Sequence, residues 1–253
     1  MVDRSGSMTS GQRVPLTREA MTLFMKSLPV GAKFQIISYG TNYEYFSGKK
    51  ELVPYNEKNV KKAIEYIKKI EANMSGNEEL TPLKMSIDIL KQDTSGCSRN
   101  IFLLTDGGVG GAHQLIAFGE EHKEFAAVHT IGIGNGVESK FCYDMAAKSG
   151  GHCTIVTEAE MQNDEMSGLI INSLEMAAKV GIQAAQVDFK GASLEVENLK
   201  TPQFLREGEI YRKLAVFNST DLSQLNFEFK FKNPRNNYQE ESYEFNGADA
   251  TVV

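Results

Sequence analysis

Hydrophobic and polar positions along this chain fall into two textures. Over the first 180 residues, stretches of helical period alternate with short, nearly continuous apolar runs. Leu16, Ala20, Leu23, Phe24 and Leu28 share one helical face, and Pro29 and Gly31 end it. The run KFQIISY at 33–39 reads as a strand, with YEYF at 43–46 as its hairpin partner across the polar turn GTN. Asn56 stands where a helix cap belongs, ahead of Val60, Ala63, Ile64, Ile67 and Ile70 at helical spacing, and lysines 58, 61, 62, 68 and 69 mark the solvated face. Thr81 and Pro82 form the cap and first-position pair of a further helix ending near Leu90. IFLLT at 101–105, VHTIGI at 128–133 and HCTIV at 152–156 are apolar throughout, the pattern of strands covered on both faces. Helical stretches at about 113–126, 138–148 and 161–180 complete the alternation. The expected fold class is therefore α/β, a doubly wound, mostly parallel sheet with helices on both faces.

After Gly181 the period changes. Leu225, Phe227, Phe229 and Phe231 alternate strictly with Asn226, Glu228, Lys230 and Lys232, as in a strand with one wet face. Weaker alternation at 185–190, 193–197 and 209–217, with turn residues between, predicts an antiparallel sheet or partial sandwich. Two domains are expected, residues 1–180 and a smaller β-rich one over 181–253.

Composition narrows the functions. Of 253 residues, 41% are hydrophobic and 24% charged, enough to build a core and too apolar for a disordered chain. A net charge of -6 argues against a phosphate-binding surface and hence against nucleic acid. No apolar run approaches the roughly 20 residues that span a bilayer, and residues 1–20 are too polar for a secretory signal, so a cytoplasmic location is expected. Cys97, Cys142 and Cys153 show no metal-ligand spacing and read as reduced thiols.

Ligands of open parallel sheets gather at the carboxyl ends of the strands. Asp106 stands there, directly after IFLLT and before Gly107 and Gly108. If residues 1–3 end a strand, Asp3, Ser5 and Ser7 meet it. Two carboxylates and two hydroxyls make a hard, all-oxygen set suited to Mg2+ or Mn2+ with waters and one open position. The same residue types also cap turns, which is the plainer reading of the spacing.

DRSGSM, with its DxSxS pattern, followed by LLTDG, resembles the metal-ion-dependent adhesion site of von Willebrand factor type A domains. KSLPVGAKFQIISYGTNYEYF, the helix at 59–73 and the run from IFLLTDGGVGG to TIGIGNGV are similar to the intracellular, inter-alpha-trypsin-inhibitor-like branch that includes the vault poly-ADP-ribosyltransferase. The resemblance covers residues 1–180 and implies a Rossmann-like fold. It implies that Ser5 and Ser7 ligate the ion through their hydroxyls and that Asp3 and Asp106 act through coordinated water. A third loop supplies a threonine within GGT in that family; here the aligned residues are Ser75, Gly76 and Asn77, with Thr81 four positions on, and the Asn77 amide oxygen is the expected third-loop ligand of the ion. The implied partner is a protein offering a Glu or Asp carboxylate to the ion, and the implied role is binding, not catalysis.

The family's first strand supplies several apolar residues before the first aspartate, whereas only Met1 and Val2 precede Asp3. The expectation is a fragment of a longer protein or a misplaced start codon, with an upstream strand missing; the resemblance implies a β-rich VIT domain as the usual preceding segment. A magnesium-dependent aspartyl phosphotransferase is the rival class, but it resembles DxDx[TV], and Ser5 stands where its second aspartate is needed. GIGNGV at 132–137 reads as a strand-end turn, since its third glycine comes too early for a dinucleotide fingerprint. The four histidines have no metal-ligand spacing.

Overall fold

The computed structural model describes residues 1–95, 98–162, 165–178, 181–190, 204–206, 226–233 and 239–246. The chain divides into two compact units, Met1–Ala178 and Lys179–Val253.

The first unit is built on β1 (Val2–Asp3), β3 (Ile37–Tyr39), β4 (Tyr43–Tyr45), β6 (Asn100–Thr105), β7 (Ala127–Ile133) and β8 (Cys153–Val156), in spatial order β4-β3-β1-β6-β7-β8. All neighbours run parallel except the β3–β4 hairpin, in which Ile37 faces Tyr45 and Tyr39 faces Tyr43. β2 (Lys33–Phe34) and β5 (Val53–Pro54) form a separate two-stranded ribbon. The apolar run at 33–39 is thus two strands, not one. Gln35 explains the break: its side-chain amide donates to Ser47 Oγ and to the carbonyls of Lys49 and Glu51, so the chain leaves the sheet there.

Helices α1 (Arg13–Ser27), α2 (Glu57–Ile67) and α7 (Met166–Ala178) belong to one apolar cluster, and α3 (Leu80–Lys91), α4 (Ala112–His122) and α5 (Ser139–Lys148) to the other. The period of the strands sorts their side chains between them. Leu104, Ile131 and Ile133 join Leu16 and Ile67 in the first cluster, while Ile101, Leu103 and Val128 join Leu83 and Met145 in the second. Asn56 caps α2 by accepting the Asn59 N–H at 2.9 Å. The α3 helix starts at Leu80, two residues before the expected first position, so Thr81 and Pro82 lie in its first turn, where Pro82 sacrifices no helical bond. The last predicted helix is two, α6 (Glu158–Gln162) and α7.

The short β1 still joins both neighbours. Val2 pairs with Ser38 and Leu104, Asp3 with Tyr39, and Arg4 N donates to Tyr39 O at 2.8 Å. From β1 the chain passes outward to β3 and β4, then crosses back to β6 on the opposite side. The carboxyl ends of β1 and β6 therefore flank the point where strand order reverses, the usual ligand position in such sheets.

The second unit holds β9 (Gly181–Lys190), β10 (Phe204–Arg206), β11 (Asn226–Asn233) and β12 (Gln239–Asn246), all antiparallel, in order β10-β9-β11-β12. Residues 226–232 of the alternating stretch lie in β11, where Phe231 is buried and stacks on Tyr243 at 5.7 Å, and Leu225 lies outside the described residues. The weaker runs at 193–197 and 209–217 lie outside the described residues. No helix among the described residues is long and apolar enough to cross a membrane.

Candidate metal centre

Asp3 ends β1, and the chain then turns through a 3-10 segment at Gly6–Thr9 into α1. The Asp3 carboxylate is 1% exposed and shapes that turn: Oδ1 accepts the Ser5 N–H at 2.8 Å. Oδ2 accepts the Thr105 hydroxyl at 3.0 Å, and Thr105 Oγ1 in turn accepts the Gly107 N–H at 3.1 Å. Asp106, 3% exposed, accepts the Gly108 N–H through Oδ1 at 3.1 Å. Gly107 makes this turn possible, since its φ is +82° and a Cβ would lie 2.8 Å from Glu138. Ser5 Oγ and Ser7 Oγ are 3.0 Å apart, Ser5 buried and Ser7 exposed.

The third loop is tied to the first. Met74 N donates to Arg4 O at 3.0 Å and Gly6 N to Ser75 O at 3.0 Å, and Ser5 and Ser75 form an isolated parallel bridge. Asn77 then reaches the second loop: its Nδ2 donates to Gly108 O, while its Oδ1 is buried with no hydrogen-bond partner. Thr81 does not join. Its backbone N–H and hydroxyl both bond Glu78 Oε1, at 3.0 Å each.

Burial, more than any neighbour, raises the Asp3 pKa; the bonds from Ser5 and Thr105 oppose the shift and the Asp106 charge adds to it. Glu79 was not anticipated. It lies at the head of α3, 2% exposed, with Oε1 unpartnered. Burial first, then the charges of Asp3, Glu78 and Asp106, push its carboxyl up to about 7. In the sequence it was one of two adjacent acids in a polar loop, with nothing to mark it as buried. Arg13 was missed as well. Its Nη1 pairs with Asp106 Oδ2 at 2.7 Å and donates to Ser7 O at 2.8 Å.

Asp3, Ser5, Asn77 and Asp106 thus converge from three loops, with Ser7 at the rim. The donors are carboxylate, hydroxyl and amide oxygens, which fit a hard divalent cation. The unpartnered Asn77 Oδ1 is consistent with such a role. Among the described residues no group of three or more His, Cys, Asp and Glu gathers as a metal cluster. The set here has only two carboxylates and relies on neutral oxygens for the rest.

The fold is that of a doubly wound α/β class, with oxygen donors at the switch point of its sheet. The sequence model of the von Willebrand factor type A domain matches residues 1–155, and the chain belongs to that family, whose domains serve as interaction modules. Von Willebrand factor A domain-containing protein 5A is similar, from rat at 28% identity over 81% of this chain and from mouse at 30% over 72%. The chain spans 25% and 23% of the length of those two relatives. Among solved structures, a von Willebrand factor type A protein from Catenulispora acidiphila aligns with a TM-score of 0.66 at 13% identity, covering 96% of this chain and 64% of its own. BatB from Bacteroides thetaiotaomicron aligns at 0.53 and 15% identity, covering 69% and 96%. Both likenesses concern the fold alone.

Proposed function

We propose that this chain is a cytoplasmic protein-interaction module in which Asp3, Ser5, Ser7, Asn77 and Asp106 hold Mg2+ or Mn2+. The partner is a protein presenting a Glu or Asp side chain. The observation that carries this reading is the burial of Asp3 and Asp106 side by side, linked through Thr105, at the switch point of the sheet. Burying two carboxylates is costly, and the Arg13 guanidinium pairs with Asp106 alone, which leaves Asp3 for a second cation to offset.

A bound divalent ion supplies an open coordination position that a carboxylate can fill. The chain supplies the rest. Thr105 and the Ser5 amide hold the Asp3 carboxylate in one orientation, and the Gly108 amide holds that of Asp106. Ser7 is the exposed member of the set, so its hydroxyl is open to solvent. Cys142 and Cys153 are free thiols, compatible with a reducing compartment.

The test uses the chain as bait. Proteins captured in Mg2+ should be lost in EDTA and lost with Asp106→Ala, and capture unaffected by both would refute the mechanism. A second reading, a scaffold that never takes a metal, is favoured by the Arg13–Asp106 ion pair. It predicts capture that is indifferent to EDTA.

A further inference from the structure

The ion pair between Arg13 and Asp106 carries a further inference about how the site is regulated, one that rests on the metal reading above. Arg13 is the first residue of α1, where the helix dipole disfavours a cation. It is nevertheless well seated. The guanidinium meets Asp106 Oδ2 at 2.7 Å, the Ser7 carbonyl at 2.8 Å and the Asn135 carbonyl at 3.5 Å, and the side chain is only 15% exposed.

The seat is completed by a glycine. Gly134 has φ +95°, and a Cβ on it would lie 2.6 Å from Arg13 Cγ. The strand-end turn GIGNG, which had no functional reading from sequence, thus leaves the space in which the arginine stem lies. Three separate segments, residues 5–7, 106 and 134–135, converge on this one cation. The guanidinium takes the Oδ2 oxygen of Asp106, because Oδ1 already accepts the Gly108 amide.

We propose that Arg13 is a built-in counter-cation that competes with the divalent ion for Asp106. Without metal, its single positive charge offsets part of the negative charge of Asp3 and Asp106 and holds the first and second loops together. A divalent ion at the same carboxylates faces that charge at close range in a buried site, where repulsion is poorly screened. Metal and guanidinium therefore oppose each other, and by linkage each weakens the hold of the other. Arg13 sets a weak affinity for free metal and keeps the apo site folded.

The test compares the full chain with Arg13→Gln and Arg13→Lys by calorimetric titration of MgCl2 and by thermal melting in EDTA and in Mg2+. Arg13→Gln should bind Mg2+ about tenfold or more tighter than the parent chain, because the competing charge is gone. In EDTA it should melt about 5 °C or more lower, because a buried carboxylate has lost its partner, and Mg2+ should restore most of the difference. Arg13→Lys, which keeps the charge, should stay near the parent affinity. If the parent chain binds Mg2+ and Arg13→Gln binds no tighter, the competition is refuted while the metal site stands. If neither binds, the metal reading fails and this inference falls with it. An Arg13→Gln chain that stays unfolded at saturating Mg2+ also refutes it, since the ion should replace the lost charge.

Discussion

Thr105 donates its hydroxyl to Asp3 Oδ2 at 3.0 Å, although 102 positions separate the two residues in the chain. Both are buried, and the same Thr105 oxygen accepts the Gly107 amide at 3.1 Å. One side chain thereby fixes the first aspartate of the site and the backbone turn that follows the second.

Replacing that hydroxyl with a methyl group should therefore damage both loops. Thr105→Val keeps the shape but leaves Asp3 Oδ2 without its donor, at a cost of about 1–3 kcal/mol. Chemical denaturation should show the loss in the metal-free protein, and Mg2+ affinity should fall together with it.

Glu79 should give the domain a distinctive pH dependence. Burial pushes its folded pKa to about 7, above the 4.5 of an ordinary glutamate, so the folded state holds the proton more tightly than the unfolded chain. Below about pH 4.5 the group is protonated in both states and costs nothing. As pH rises from about 4.5 to about 7 the unfolded chain releases a proton that the folded state still holds, and stability falls by ~1–3 kcal/mol. Glu79→Gln should remove this component. In EDTA, its stability advantage over the parent chain should grow between pH 5 and 8 and level off above; equal pH profiles would show that Glu79 is not ionising in a buried setting.

Asn77 stands where the family's threonine is expected. Its amide joins the third loop to Gly108 O and leaves Oδ1 facing no protein donor. Asn77→Ala should weaken Mg2+ binding by about tenfold, while Asn77→Thr, which restores a hydroxyl oxygen, should keep the site. Calorimetry on the two variants distinguishes a ligand from a loop brace.

Gly107 is the least replaceable residue of the second loop. An alanine there must hold φ at +82° and place its Cβ 2.8 Å from Glu138. Gly107→Ala should cost about 1–3 kcal/mol and shift Asp106 out of register with Asp3. The expected signature is a lower melting temperature together with lost metal binding.

Much of the fold was legible because burial on both faces writes itself into a strand. IFLLT and VHTIGI read as strands covered on both faces, and they are β6 and β7. The break at Gln35 was hidden because the residue that interrupts the run acts through bonds to a loop more than ten positions away. Asp3, Ser5 and Asp106 were readable from strand-end position and donor chemistry, and the structure brings them together. Arg13 and Glu79 were not. Each becomes part of the site only through contacts with distant loops, and in the sequence one is a polar residue at a helix start and the other one of two acids in a loop. The alternating tail showed its sheet through period alone, since Phe229 and Phe231 share a strand with the intervening Lys230.

The central claim is that three loops share one divalent cation, and Mn2+ makes it directly observable. Titrating the chain with MnCl2 and following free Mn2+ by electron paramagnetic resonance should reveal one saturable site, displaced by excess Mg2+ and absent in both Asp3→Asn and Asp106→Asn. Retention of that site in either variant, or no bound Mn2+ in the parent chain, would contradict the account.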